Sequence, residues 1–351
     1  MRFKANIQNI ITFTRFTASL SSLGPFAWVR LDENDIRFTV IPEQGTQVWS
    51  VLQIDSVFES YLIESAADNV INLEVPLQGL HRALKSAVNA TAASIRLTKR
   101  DGLPMLCLTI NTTSVGNIAM QTADDSFAAM MDTEDGERGM NIDFTNNARE
   151  RETIITQDIP IRVLSSNSVD GLHEPRTREP DVNIELPSLM QLKAISDRFT
   201  RLALVSKASA SSVSGATSVG PRLELSANMH GCLRIRIDTD AMNINSTWTG
   251  LTNPRLDPSA IEGGEAALQN HPTEIMRQQG DAKGDSEEGW AKVFIDGRDW
   301  SKVMSVGRVG GRVIACFCND HALILYVYMN TGNDDGSDRS VLTYYISSYS
   351  N

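Results

Sequence analysis

The sequence predicts an α+β protein of two similar domains, each built from two β-α-β-β-β units, on three observations. First, a strand-like stretch followed by an amphipathic helix recurs four times: strands 2–7, 70–76, 182–187 and 291–296 precede helices 9–23, 77–90, 188–203 and 297–309. Second, the second and fourth units run in parallel. Residues 73–110 read strand, helix, strand 94–98, turn 99–102 and strand 103–110, while 293–329 read strand, helix, strand 312–317, turn 318–321 and strand 322–329. Third, the helical stretches have helical spacing: Leu80, Leu84 and Val88 share one stripe, as do Leu189, Leu192, Ile195, Phe199 and Leu202.

The organisation follows from composition along the chain. Residues 1–164 form the expected first domain, closed by the β-rich run 153–164 (TIITQDIPIRVL), whose Pro160 suits an edge strand. Residues 165–180 (SSNSVDGLHEPRTREP) are poor in apolar side chains and serve as the connecting segment, leaving 181–351 as the second domain. Stretches 123–140, 206–220 and 253–289 read as loop insertions that bury too little apolar surface to offset their ordering entropy. The serines of 206–220 are candidates for phosphorylation.

With 351 residues, 41% of them hydrophobic, the chain can fill two cores of ordinary size. No run approaches the ~20 apolar residues that span a bilayer, and residues 1–7 lack a signal-peptide pattern, so no membrane partner is expected. The expected location is the nucleus or cytosol. Cys107, Cys232, Cys316 and Cys318 lie in apolar strand-like runs, as small buried hydrophobes of a reducing compartment.

Catalytic chemistry finds no constellation. His81, His173, His230, His271 and His321 are scattered, and no HExxH, GxSxG or GxxxxGK[ST] pattern occurs. Cys316 and Cys318 fall on one sheet face between apolar neighbours, without a second ligand pair. The run 307–312 (GRVGGR) follows a helix instead of opening one, so it reads as a helix C-terminus and not a phosphate loop. Neither enzyme activity nor a cofactor or metal is expected.

Charge is more informative. The chain carries −11 overall, which by itself disfavours phosphate binding. Its helical segments are nevertheless net basic, by +1, +2, +2 and +3, leaving −19 on everything else. The cations are Arg15; Arg82 and Lys85; Lys193, Arg198 and Arg201; and Arg298, Lys302, Arg308 and Arg312. A split of this kind sets up a local field opposite to that of the whole chain.

Residues 1–7 (MRFKANI), 80–98 (LHRALKSAVNATAASIRLT), 156–163 (TQDIPIRV), 181–192 (DVNIELPSLMQL), 231–238 (GCLRIRID) and 250–254 (GLTNP), with the closing blocks 291–304 and 341–347, resemble in order the Hus-type subunit of the DNA-damage checkpoint clamp. That family is similar to the PCNA-like sliding clamps. The resemblance implies a six-domain ring of three subunits, with helices lining the DNA side and sheets outside. It implies two related Rad-type subunits as partners, a Rad-type clamp loader, duplex DNA bound without regard to sequence, and a platform for repair enzymes and the checkpoint kinase pathway, in the nucleus and cytoplasm. Arg82, Lys85, Lys193, Arg201, Arg298 and Lys302 are then the expected DNA-facing residues, with Arg15 and Arg198 on less certain helix faces. The ring edges are expected in the closing strand of the first domain (Ile154, Thr156, Asp158, Ile161) and in the run 242–251 (Asn243, Asn245, Thr247). A homotrimeric polymerase processivity clamp and a scaffold that never touches DNA are the alternatives. The long insertions depart from the compact family pattern.

Overall fold

Alternation of apolar and polar residues shapes the strands. In β1 (Arg2–Ile7), Phe3, Ala5 and Ile7 are buried while Arg2, Lys4 and Asn6 face solvent. A computed structural model of the chain describes residues 1–43, 45–115, 150–210, 222–239, 242–256, 264–281, 283, 286–329 and 340–349. After β1 come α1 (Ile10–Ser21), β2 (Phe26–Leu31), β3 (Asp35–Val40), β4 (Gln47–Gln53), α2 (Ile54–Val57), β5 (Phe58–Glu64), β6 (Ile71–Pro76), α3 (Leu77–Ser86), β7 (Ala92–Arg100), β8 (Leu103–Val115), β9 (Glu150–Pro160) and β10 (Arg162–Leu164). The connecting segment opens with α4 (Ser166–Val169). The second half holds β11 (Val182–Glu185), α5 (Leu189–Ala210), β12 (Arg222–Asn228), β13 (Leu233–Thr239), β14 (Met242–Trp248), α6 (Gly264–Gln269), α7 (Pro272–Gln279), β15 (Trp290–Asp296), α8 (Gly297–Val303), β16 (Val313–Cys318), β17 (Ala322–Tyr328) and β18 (Val341–Ser347).

These strands form three antiparallel sheets: β5-β1-β7-β8-β9, β14-β13-β12-β15, and a nine-stranded sheet β10-β6-β2-β3-β4-β18-β17-β16-β11. The two halves share the nine-stranded sheet through β4 and β18, paired from Gln47 with Tyr345 to Val51 with Val341. One face of the sheets carries a row of helices. α3 packs on α1, α1 meets the 3-10 turn Met304–Arg308, and that turn and α8 pack on α5. Ser22 bridges the halves, its hydroxyl 3.1 Å from that of Ser305 and 3.4 Å from the main-chain oxygen of Lys302. Beneath the helices one hydrophobic cluster runs from Phe3 to Ile346, and Phe13, Phe16 and Phe38 meet in it mostly edge to face.

The helices start where local chemistry allows. Asn9 caps α1 by accepting from Thr12 N at 3.0 Å, and Asp296 caps α8 by accepting from Arg298 N at 2.7 Å. α1 buries Thr14 and Thr17 without orphaning their hydroxyls, which donate to the carbonyls of Ile10 and Phe13 four residues back.

Four expectations need correction. The run 153–164 is two strands, because the chain leaves the five-stranded sheet at Ile161, whose N–H donates to Pro104 O, and joins the nine-stranded one as β10. The third repeat helix continues to Ala210, so residues 206–210 of the expected loop are helical. The fourth ends as α8 plus a separate 3-10 turn. The stretch 253–289 contains α6 and α7, the latter started by His271, which accepts from Thr273 N, and by Pro272 in the first turn. α7 packs against β11, which among the described strands pairs only with β16, whereas its first-half counterpart β1 is flanked by both β5 and β7. A helix thus covers a sheet edge that a strand covers in the first half. Residues 123–140, 211–220 and 331–339 lie outside the described residues.

The connecting segment is fastened to the outer face of the nine-stranded sheet. Tyr345 donates to Glu174 at 2.8 Å, and Arg178 donates to Asp181 at 2.7 Å and to Asn319 O at 2.8 Å. Cys316 and Cys318 lie buried on that face, and burial pushes the Cys316 thiol up to about 12.

Candidate nucleic-acid interface and ring edges

Each helix of the row buries one stripe and turns the opposite stripe away from the sheets. α3 buries Leu77, Leu80, Ala83 and Leu84 and exposes Arg82 and Lys85. α1 buries Phe13, Phe16 and Leu20 and exposes Arg15, while α5 buries Leu192, Phe199 and Ala203 and exposes Arg198 and Arg201. α8 buries Trp300 and Val303 and exposes Arg298 and Lys302. Arg15 and Arg198, whose faces the sequence leaves ambiguous, thus share the solvent side with the rest.

The row's carboxylates are already matched. Asp197 of α5 pairs with Lys193 at 3.2 Å and Asp299 of α8 pairs with Lys302 at 3.1 Å. Arg15, Arg82, Lys85, Arg198, Arg201 and Arg298 form no salt bridge with a described residue. Lys193 stands apart from its expected role. Half buried between α5 and α8, it bonds Ser301 through the main-chain oxygen and the hydroxyl, so its ammonium is committed within the protein.

The expected ring edges lie at sheet edges. β9 ends the five-stranded sheet and β14 ends the four-stranded one, each hydrogen-bonded on one side only among the described strands. Ile154, Thr156 and Asp158 are exposed on β9, and Asn243, Asn245 and Thr247 on β14. Asp158 sits 2.9 Å from Arg100, whose bond and that of the Cys107 thiol hold its carboxyl below the usual range. Ile161 does not belong with them: it falls between β9 and β10 with its side chain in the core. β14 stops at Trp248, so 249–251 are not strand.

Sequence reasoning misses the apolar component of both edges. Ile154 is 68% exposed and Ile155 40% exposed, so β9 presents isoleucine on both faces. On β14, Ile244 and Trp248 are partly buried and lean on the core. The consecutive isoleucines in TIITQ carry that signal, since strict alternation would have hidden one of them.

No group of three or more potential metal ligands occurs among the described residues, and none of the described helices is long and apolar enough to cross a membrane.

A shared sheet joining two halves, with all four repeat helices on one side, is the architecture of a sliding clamp. The chain aligns over 99% of its length with proliferating cellular nuclear antigen (PCNA) from Entamoeba histolytica (TM-score 0.60, 10% identity, 99% of that chain) and with PCNA from Thermococcus kodakaraensis (TM-score 0.58, 13% identity, 100% of that chain). A PCNA2–PCNA3 complex from Sulfolobus tokodaii matches at TM-score 0.56 and 13% identity, with 99% of each chain covered. The protein therefore has the sliding-clamp fold. Within that class, the family model described as Hus1-like protein matches residues 1–350. The chain is 35% identical over 350 residues to checkpoint protein hus1 of Schizosaccharomyces pombe, covering 99% of each, and 26% identical over 264 residues to human checkpoint protein HUS1, covering 73% of this chain and 76% of that one. The chain belongs to the Hus1-like family, in agreement with the sequence blocks that suggest it.

Proposed function

We propose that this chain is a non-catalytic subunit of a heterotrimeric checkpoint clamp that encircles duplex DNA in the nucleus and serves as a platform for checkpoint signalling and repair proteins. The observation that carries this reading is the helical row, where the exposed Arg15, Arg82, Lys85, Arg198, Arg201 and Arg298 form no salt bridge with a described residue while its two carboxylates are each paired to a lysine, on a chain of net charge −11. Lys and Arg contacts to phosphates carry no sequence information, which suits a ring that slides.

In this reading residues 1–164 and 181–351 are the two clamp domains. β9 and β14 pair with two different Rad-type subunits, and a Rad-type loader opens the ring. An unpaired strand edge accepts another chain through main-chain bonds, and side chains such as Ile154, Ile155 and Trp248 select which chain. The PCNA2–PCNA3 complex of Sulfolobus tokodaii, which shares this fold, joins two differently named subunits, in support of that arrangement.

Two measurements test the reading. Mass in solution should be that of a monomer alone and of a one-to-one-to-one complex with the two Rad-type subunits; a stable trimer of this chain alone would favour a polymerase processivity clamp instead. Combined reversal (Arg82→Glu, Lys85→Glu, Arg298→Glu, Lys302→Glu) should abolish retention of the assembled ring on closed circular DNA. Unchanged retention would turn the reading toward a scaffold that never touches DNA.

A further inference from the structure

The five-stranded sheet β5-β1-β7-β8-β9 turns one face into the core and the other to solvent. On β1, Phe3, Ala5 and Ile7 go inward, so Arg2, Lys4 and Asn6 point out. Strand register builds two neighbouring rows on the outward face. One runs Leu62, Lys4, Arg96, Cys107, Asp158 across all five strands. The other carries short polar side chains, Ser60, Asn6, Ser94 and Thr109.

Lys4 and Arg96 stand directly opposite each other, and two like charges so placed repel. The nine-stranded sheet holds such a pair too, Arg30 opposite Arg37, but there each is neutralised by an aspartate two residues away, Arg30 by Asp32 at 3.1 Å and Arg37 by Asp35 at 2.9 Å. Lys4 and Arg96 have no such relief, since neither forms a salt bridge with a described residue. The carboxylates of this face are engaged by other arginines, Asp158 by Arg100 at 2.9 Å and Glu64 by Arg2 at 3.6 Å. Arg96 only adds to the field that lowers the Asp158 carboxyl. A chain with 43 acidic residues thus leaves two facing cations to solvent.

The missing counter-charge has a definite chemistry. Two monocations on adjacent strands match one dianion, whereas a single carboxylate would neutralise only one of them. A phosphoryl group on a side chain carries about −1.5 to −2 at neutral pH and offers acceptor oxygens for charge-assisted bonds from both cations. Donors in the polar row, Asn6 and Ser94 among them, can take the oxygens that remain. On the other side of Lys4, Leu62 is 52% exposed and offers cover for an apolar side chain. A nucleic-acid strand fits less well, because it would lay further phosphates over Glu64 and Asp158.

We propose that the outward face of the five-stranded sheet docks a phosphorylated segment of a partner protein, with its phosphate between Lys4 and Arg96 and an apolar neighbour over Leu62. This face belongs neither to the helical row nor to the nine-stranded sheet, so the proposal goes beyond the platform reading and can fail without it.

Three fluorescein-labelled peptides, alike except for a central phosphoserine, glutamate or serine flanked by leucines, test it by anisotropy on the full chain. The phosphoserine peptide should bind, the glutamate peptide at least tenfold more weakly, and the serine peptide not at all. Lys4→Ser with Arg96→Ser should weaken phosphopeptide binding at least tenfold, and Leu62→Ser several-fold, in chains that still assemble with the Rad-type subunits. Arg255→Ser with Lys283→Ser, which removes the same charge from exposed sites of the second half, should leave it within twofold. Equal loss in the two double variants would mean general attraction of phosphate to cations and would overturn the proposal, as would equal binding of the serine peptide. Displacement by inorganic phosphate or by a single-stranded oligonucleotide as readily as by unlabelled phosphopeptide would replace the partner segment with a bare anion or a nucleic acid, and would overturn it too. Failure of the phosphopeptide to bind a chain that still assembles would remove this face as a docking site and leave the ring reading standing.

Discussion

Lys193 of α5 donates to the main-chain oxygen of Ser301 in α8 at 3.0 Å, so a lysine on the basic helical row holds two helices together. Its side chain is 25% exposed and its second partner, Asp197, is 3.2 Å away. Lys193→Met should lower stability by about 1–3 kcal/mol, the range for hydrogen bonds to a charged group with a partner left behind. Urea unfolding should show that loss, with little change in retention on DNA. Lys85→Met, at an exposed site without an ion pair, should do the reverse.

Among the exposed cations, each phosphate contact should appear as a salt slope. Arg82→Ala and Lys85→Ala should each lower the slope of log affinity against log salt by about 0.9 for the assembled ring on duplex DNA. An unchanged slope would place that side chain away from the backbone of the DNA.

Ile154 is an apolar side chain held in water at a sheet edge. Ile154→Asp should therefore change the stability of the isolated chain by no more than about 0.5 kcal/mol, as at ordinary surface sites. In a mixture with the Rad-type subunits, sedimentation should nevertheless show loss of the complex, because in the proposed ring this edge meets another chain and would carry an unmatched charge.

Glu287 gives a pH signature. Bonds from Arg234 and Lys292 hold its carboxyl down to about 2 from an ordinary 4.5, and Arg234 also stacks 4.5 Å over the ring of Trp290. A depressed carboxyl stabilises the fold fully above its unfolded value and ceases to do so as pH falls through its folded value. Glu287→Gln should accordingly be less stable than the parent at pH 7, and the gap should close between about pH 4.5 and 2. The effect is small because the side chain is 60% exposed. Denaturant midpoints at several pH values would measure it.

Gly231 turns β12 into β13 with φ +78°, and a Cβ there would stand 2.4 Å from the carbonyl oxygen of Leu251. Gly231→Ala combines a left-handed backbone, about 1–2 kcal/mol for a residue with a side chain, with that clash. Thermal unfolding should show a loss larger than the backbone term alone, and retained stability would mean that residues 250–252 move aside.

Repeats of strand and helix were legible because their signals are local. Asn9 and Asp296 are side-chain caps, and Pro160 does end an edge strand. What sequence hid depends on partners distant along the chain. Ile161 reads like its neighbours, yet its backbone bond to Pro104 is the point where one run changes sheets. His271-Pro272 is a local helix start, masked in the sequence by the polar stretch around it. Lys193 carries a local cue that Lys85 lacks, Asp197 four residues on, but the bonds to Ser301 that make it a brace between helices depend on a residue 108 positions away.

The pairing of β4 with β18 also bears on how the chain is made. The Gln53 main-chain N–H donates to the hydroxyl of Ser340, 287 positions away, so a ribosome releases β4 long before its neighbour β18 exists. Until then β4 is a sheet edge offering valines and a tryptophan to any extended segment nearby. Synthesis thus opens an interval in which the nascent first half is prone to wrong pairing, and completion of the nine-stranded sheet must wait for the arrival of residues 341–347.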